Sequence, residues 1–287
     1  MQCALSRHGN RENVNKYGGS TRLRKVLGTA MQIRRSAKEA IRHLILKSGF
    51  NGAYLGFRAA RGNNIEHLQA QTLGERFSMI YRNRVWLNGR SNGSLSGLGS
   101  ELDNTRAIRL YLPGLLASLH TKMLLDVGCG DFNWMRELVI DCQYIGIDVA
   151  KNIIDLNVRK YGSANRTFYT LDASKDPLPL ADTVLCREVL FHLSFEDLGA
   201  FLQNMRASGA STMIATNDLG TDFNADIMSG DFRLLNLTRP PFHFPPPEMC
   251  IPDDELSPRR VLAVWRVSNL PESLCPGFWR KKNRAFL

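Results

Sequence analysis

The chain has 287 residues, 44% of them apolar, a length that suits one large domain with an appendage and excludes a small disulfide-stabilised scaffold. Its six cysteines (Cys3, Cys129, Cys142, Cys186, Cys250 and Cys275) include no C-x-x-C pair, which argues against a structural zinc site and for a reducing, cytoplasmic location. The formal net charge of +10 is carried by residues 1–70, with 13 Lys and Arg against 3 Asp and Glu, whereas the other 217 residues hold 24 of each.

No run approaches the roughly 18 apolar residues of a membrane-spanning helix. The opening MQCALSRHGN lacks the apolar core of a secretory signal. Met1 to Ala30 is polar and rich in Gly and Asn, the composition of a disordered segment. From Leu23 to Leu46 apolar residues recur at helical spacing, with Arg34, Arg35, Lys38, Arg42 and Lys47 elsewhere on the surface. Two readings stay open for this basic arm: a helix packed on the body with a solvated face, or peripheral contact with anionic membrane or nucleic acid.

Gly49 to Gly74 reads as a linker, and Glu75 to Trp86 as a short amphipathic helix. SNGSLSGLGS, residues 91–100, has the composition of a flexible loop, and a helical pattern follows from Asp103 to Leu119.

The stretch from Met123 to Asp148 is the most informative. Met123-Leu124-Leu125 ends on Asp126, a tight turn follows at Gly128-Cys129-Gly130, and Trp134, Met135 and Leu138 give a helical pattern. A second apolar run, Tyr144 to Ile147, ends on Asp148, completing a strand, turn, helix, strand unit of a parallel sheet. Glycines let the backbone approach a ligand, and the helix start supplies unpaired N–H groups. Asp148, 22 residues after Asp126 and 18 after Gly130, is placed to accept from both ribose hydroxyls of a nucleotide-type ligand. A diphosphate motif would carry its third glycine at Asn133, and Asp131 would repel a diphosphate; a cofactor with an ammonium and a sulfonium would not be repelled.

After a helix from Lys151 to Lys160, a third strand ends on Asp172-Ala173, and a fourth, Asp182 to Cys186, leads into Arg187-Glu188-Val-Leu-Phe-His192. Ser194 with Asp197 has the form of a capping box for the next helix. Glu188 and His192 are four apart and would share one face of a helical turn. Three roles compete for them: proton acceptor, metal-ligand pair, or a brace between loop and sheet. Thr212 to Thr216 is a fifth strand. A long aperiodic segment follows with Arg233 and a proline cluster to Pro247, and Arg260 to Val267 closes the sheet.

The Met123–Asp148 stretch resembles the first two motifs of class I S-adenosylmethionine-dependent methyltransferases, a resemblance extending over about Ser78 to Leu270. The wider pattern (SGLGS, CGDFNW, CREVLFHLS, LNLTRPPF) is similar to a group of bacterial methyltransferase-domain proteins. The resemblance implies an α/β fold: a doubly wound, mostly parallel seven-stranded sheet with an N-terminal helical cap. The division expected is a basic arm (1–70), a helical cap and lid (71–120), a methyltransferase domain (121–270) and a tail (271–287).

S-adenosylmethionine is the implied cofactor, bound by Asp126, Gly128, Gly130 and Asp148, with Asp172 and Ala173 at the adenine amino group and Cys186 packed beside the ring. Ser96 to Ser100 would form part of a lid, with Thr105 and Arg109 facing the site. Methyl group and acceptor would meet at the end of the fourth strand, with Glu188 and His192 catalytic, Arg109, Arg187 and Arg233 binding the acceptor, and no metal. Where the family often has a third glycine the chain has Phe132, implying a stiffer loop or a narrower pocket. The expected reaction is O-methylation of a polar small molecule or a glycan- or lipid-linked acceptor. The rivals are an RNA methyltransferase, although N/D-P-P-Y is missing after the fourth strand, and a non-catalytic cofactor-binding module.

Overall fold

The structure, a computed structural model, describes residues 39–46, 48 and 50–272. The polar segment 1–30, most of the predicted helix over 23–46 and all but two residues of the tail lie outside them; residues 39–46 are helical.

Seven strands form one sheet: β1 (Met123–Val127), β2 (Gln143–Asp148), β3 (Arg166–Thr170), β4 (Thr183–Cys186), β5 (Thr212–Asp218), β6 (Met249–Pro252) and β7 (Arg260–Arg266). Their order is β3-β2-β1-β4-β5-β7-β6. The first five are parallel, whereas β7 runs antiparallel between β5 and β6. The sheet is thus mixed, with its parallel half carrying the crossovers. The order reverses between β1 and β4, which opens a crevice at their carboxyl ends. β4 and β5 are buried along their whole length, and so are four of the five residues of β1, as their continuous apolar runs require. β6, an edge strand, ends on Pro252, where the missing N–H costs no central ladder bond.

Alternate residues of each strand serve two cores. Leu124 joins α3 (Arg106–Ser118) and the 132–138 turn on one face, while Leu125 joins α2 (Leu73–Arg82), α5 (Phe195–Ala207) and residues 235–244 on the other. α4 (Lys151–Tyr161) contributes Ile153 to one core and Ile154 to the other.

Several expectations change. The predicted linker 49–74 holds α1 (Asn51–Ala60) and a 3₁₀ turn, Glu66–Gln69, with Ile65 and Leu68 buried. α2 starts at Leu73 because Thr72 and Glu75 form a full capping box (Glu75 N to Thr72 Oγ1 3.2 Å, Thr72 N to Glu75 Oε2 3.1 Å). The helix expected after the glycine turn is a single 3₁₀ turn, Met135–Glu137. Phe132 takes φ 58°, a left-handed conformation that breaks a helix, and its ring packs against Tyr144, Tyr161 and Phe168. At α5, Asp197 N donates to Ser194 Oγ (3.1 Å), but the reciprocal bond goes elsewhere: Ser194 N donates to Ser229 Oγ (2.7 Å).

Candidate active site

An open cleft of about 980 Å³ lies at the carboxyl ends of β1, β2 and β4. Its floor is the glycine turn. Gly128 and Gly130 have φ 70° and 57°, and a Cβ on either would strike Val189 Cγ2 at 2.4 Å or Ser96 Oγ at 2.2 Å. The backbone donors of the turn are already used. Gly128 N and Cys129 N donate to Ile147 O (2.8 and 3.0 Å), Gly130 N to Asp148 Oδ2 (3.1 Å) and Asp131 N to Ser96 Oγ (2.9 Å). No nest of N–H groups is left for a phosphate, so the cradle suits a ligand without one.

Asp148 also accepts from Ala150 N (2.9 Å). Burial pushes its pKa up to about 6, against the pull of the Ala150 and Gly130 N–H groups. Asp126 accepts from the Tyr144 hydroxyl at 2.7 Å, and burial raises it to about 7. Two buried carboxylates that resist ionisation give a cation-bearing ligand something to gain. Asp172 and Ala173 line the same cleft, with Asp172 Oδ1 held by Ser174 N (3.0 Å) and Ser174 Oγ (2.6 Å). These residues fit S-adenosylmethionine: glycine backbone at the floor, a strand-end acid for the ribose, acids for the ammonium and sulfonium, and no phosphate nest.

The serine-glycine stretch 91–100 is tied to the glycine turn and is not a loose loop, and Ser96 and Ser100 line the cleft. Asp131 accepts from Ser94 Oγ through both oxygens (2.9 Å each) and from Leu95 N (2.6 Å), and Asn133 Nδ2 donates to Ser100 O (2.8 Å). Asn157 of α4 pins the turn from below, donating to Gly130 O at 2.7 Å.

At the end of β4 the chain turns sharply, with Glu188 at φ 59°. Strained backbone of this kind clusters at functional sites. Glu188 and His192 both line the cleft, though no helical turn carries them; residues 187–189 are bends and only Leu190–His192 is 3₁₀. The Glu188 carboxylate is ion-paired with Arg260 and lies so close to Gly99 that a Cβ there would fall 1.6 Å from Oε2. His192 Nδ1 meets Asp231 O at 2.8 Å, and its ring packs between Trp86 and Phe232 (centroids 5.0 and 5.5 Å). With Nδ1 donating to that carbonyl, Nε2 is the acceptor nitrogen. Burial lowers the His192 pKa, keeping the ring neutral near pH 7.

Arg187 lines the cleft too, over the Trp134 ring (5.3 Å), donating to Gly99 O (2.6 Å) and Asp253 Oδ1 (2.9 Å). Burial works against its charge, but Asp253 and Glu188 outweigh it and raise its pKa. Arg260 shares Asp253 Oδ1 at 3.1 Å, so two guanidiniums and two carboxylates form one neutral cluster.

Four predicted residues lie elsewhere. Arg109 is absent from the cleft lining and braces its own helix start, donating to Thr105 Oγ1 (3.3 Å) and Leu102 O (2.8 Å). Thr105 is itself fully buried, its hydroxyl donating to Glu101 O at 3.0 Å. Arg233 is 1% exposed and donates to Leu193 O (2.6 Å), a core role set by its place under Phe195. Cys186 is fully buried in the core and does not line the cleft. Phe132 likewise turns into the opposite core, so it does not narrow the pocket. Among the described residues, no group of three or more His, Cys, Asp or Glu side chains is placed to hold a metal.

The sequence reading missed Tyr81 and Trp86, which line the cleft, and Asp253 with Arg260. Aromatic spacing in α2 signalled a buried face but not which cavity it would border.

Residues 124–209 match the family model of a methyltransferase domain. No curated protein matches the chain. Among solved structures, the methyltransferase domain of a bacterial CtHen1 is 18% identical over 39% of this chain and 65% of that one (TM-score 0.34). N-methyltransferase NodS from Bradyrhizobium japonicum WM9 is 18% identical over 57% and 93% (TM-score 0.40), and human N-acetylserotonin methyltransferase 16% identical over 57% and 44% (TM-score 0.38). The chain spans just under two thirds of the CtHen1 chains, 65% and 66%. Nothing about the acceptor rests on these likenesses. Residues 124–209 thus carry a methyltransferase domain, and the sequence motif and the cleft chemistry support the class I kind with S-adenosylmethionine as cofactor.

Proposed function

We propose that the chain methylates a hydroxyl oxygen of a small polar acceptor, free or linked to a glycan or lipid, with His192 taking the hydroxyl proton. The observation that carries this reading is the hydrogen bond from His192 Nδ1 to Asp231 O (2.8 Å), which leaves Nε2 as the accepting nitrogen in a ring that lines the cleft. The bound cofactor supplies an electrophilic methyl group on its sulfonium. The chain's own contribution is to hold the acceptor oxygen in line with that methyl, to accept its proton and to exclude water.

Glu188 is tied to Arg260 and packed on Gly99, which suits orienting the acceptor better than shuttling a proton. Trp86 and the His192 ring, tilted 42° to each other, line the cleft beside it. Peripheral contact with an anionic membrane or nucleic acid belongs to the basic arm, and in the described part the exposed Ile41, Leu44 and Phe57 support the membrane alternative.

Methyl transfer from labelled cofactor to separated lipid, glycan, RNA and small-molecule fractions tests the reading. Label in a hydroxyl-bearing small molecule, glycan or lipid supports it. Label in RNA alone, or none in any fraction, contradicts it.

A further inference from the structure

We infer that Asp231 is a positioning residue for His192, and that Arg42, Tyr54 and Arg58 of the N-terminal segment hold it in place. The inference rests on the reading of His192 as proton acceptor.

Residues 229–233 form a strip between the catalytic loop and the N-terminal helices. On its inner side Gly230 N donates to His192 O (2.8 Å), Arg233 N to Phe191 O (3.0 Å), and Asp231 O accepts from His192 Nδ1 (2.8 Å). On its outer side the neighbouring carbonyls are taken by the N-terminal region. Arg76 donates to Ser229 O (2.9 Å) and Arg42 to Phe232 O (3.0 Å), while His67 Nε2 lies 3.2 Å from Gly230 O. Of these four successive carbonyls, the one at Asp231 alone serves the histidine.

The Asp231 side chain is gripped from the same outer side. Its Oδ2 lies 2.8 Å from Arg58 and 3.6 Å from Arg42, and accepts from the Tyr54 hydroxyl at 3.3 Å. The Arg58 contact is a charge pair, so the grip depends on Coulomb attraction and on Tyr54 together. Holding a residue by its side chain and its neighbours by their carbonyls fixes the peptide plane that His192 reads. A histidine's tautomer and ring orientation are set by the partner of its other nitrogen. The charged groups acting on His192 are Glu188, Asp231 and Arg233, and its ring makes tilted contacts with the neutral Trp86 and Phe232 rings.

The test is ¹⁵N NMR of the imidazoles in the full chain, which has only six histidines, with His192→Gln assigning the signal. The wild type is expected to show the Nδ1–H tautomer. In Asp231→Asn and in the Arg42→Ala/Arg58→Ala pair, the Nε2–H share should rise about threefold or more. Turnover should fall about tenfold, with cofactor affinity unchanged. Arg58→Lys in the wild-type background should retain the native tautomer balance. If the paired variant does not fold, Asp231→Asn and the milder Tyr54→Phe decide. Variants that bind cofactor normally and keep the wild-type tautomer balance overturn the inference. Full turnover in His192→Gln would instead sink the proton-acceptor reading, an outcome the tautomer measurement does not depend on.

Discussion

The two sides of the cleft are held together over very different distances along the chain. On the cofactor side, Asp148 takes its hydrogen bonds from residues 2 and 18 positions away, and Asp126 from one 18 away. On the acceptor side the partners are distant: 39 positions for His192 and Asp231, 72 for Glu188 and Arg260, 66 and 88 for Arg187 with Asp253 and Gly99. The cofactor half is therefore one supersecondary unit that forms with its own strands. The other half exists only once the 91–100 stretch, the 229–233 strip and the β6–β7 turn have docked. A fold built this way keeps its cofactor while loops reshape the acceptor site.

If the halves are that separate, variants should damage one property and spare the other. The largest effect belongs to His192. His192→Ala should lower turnover by about 10²–10⁴-fold, the usual worth of a general base, with cofactor binding unchanged. Stopped assays on a confirmed acceptor, beside calorimetric titration of the cofactor, would check both parts.

Asp148→Ala is the mirror image. Losing a charge-assisted contact to the ribose should weaken cofactor binding by about 2–3 kcal/mol, or roughly 30- to 150-fold. Unchanged affinity in a calorimetric titration would remove the basis for placing the ribose there.

Acidity should divide the halves as well. Asp148 and Asp126 titrate near 6 and 7 in the folded, ligand-free chain because burial raises both. A ligand carrying an ammonium and a sulfonium favours their ionised forms, so binding releases protons and affinity rises with pH. Below pH 6 the cofactor dissociation constant should grow about tenfold per pH unit for each carboxylate that must ionise. Titrations at pH 5.5 and 7.5 in buffers of different ionisation enthalpy would show this; a flat profile would mean neither acid faces the cofactor's charge. Turnover at saturating cofactor should fall only below His192's own pKa, which burial holds under 6.5.

The smallest expected effect tests Glu188. Gly99→Ala would force its carboxylate away from Arg260, since the new Cβ would lie 1.6 Å from Oε2. Losing one charge-assisted hydrogen bond of about 1.5 kcal/mol to the acceptor should raise its KM about tenfold and leave kcat nearly intact. A fall in kcat with unchanged KM would make Glu188 a proton carrier instead.

What the sequence reveals follows the same division. Asp126, Gly128, Gly130, Asp148, Asp172 and Ala173 are readable because strand, turn and acid follow one another at spacings that backbone geometry dictates, and the structure lines the cleft with all six. Arg233 and Arg109 look like acceptor ligands in a polar stretch, yet burial and local carbonyls claim them, which no spacing announces. The helix after the glycine turn fails for a single-residue reason, the left-handed Phe132, whose ring finds three aromatic partners from β2, α4 and β3. The Arg187–Asp253–Arg260–Glu188 cluster joins residues brought side by side only by the antiparallel return of β7 against β5, a pairing that local pattern cannot foresee.

The most direct measurement compares Asp148→Ala with His192→Ala on one set of samples, reading cofactor dissociation constant and methyl transfer in each. Asp148→Ala is expected to raise the dissociation constant and to recover turnover at saturating cofactor. His192→Ala is expected to bind cofactor like the wild type and to remain slow at any concentration. A His192→Ala protein with full turnover, or an Asp148→Ala protein with wild-type affinity, would contradict this division of the cleft.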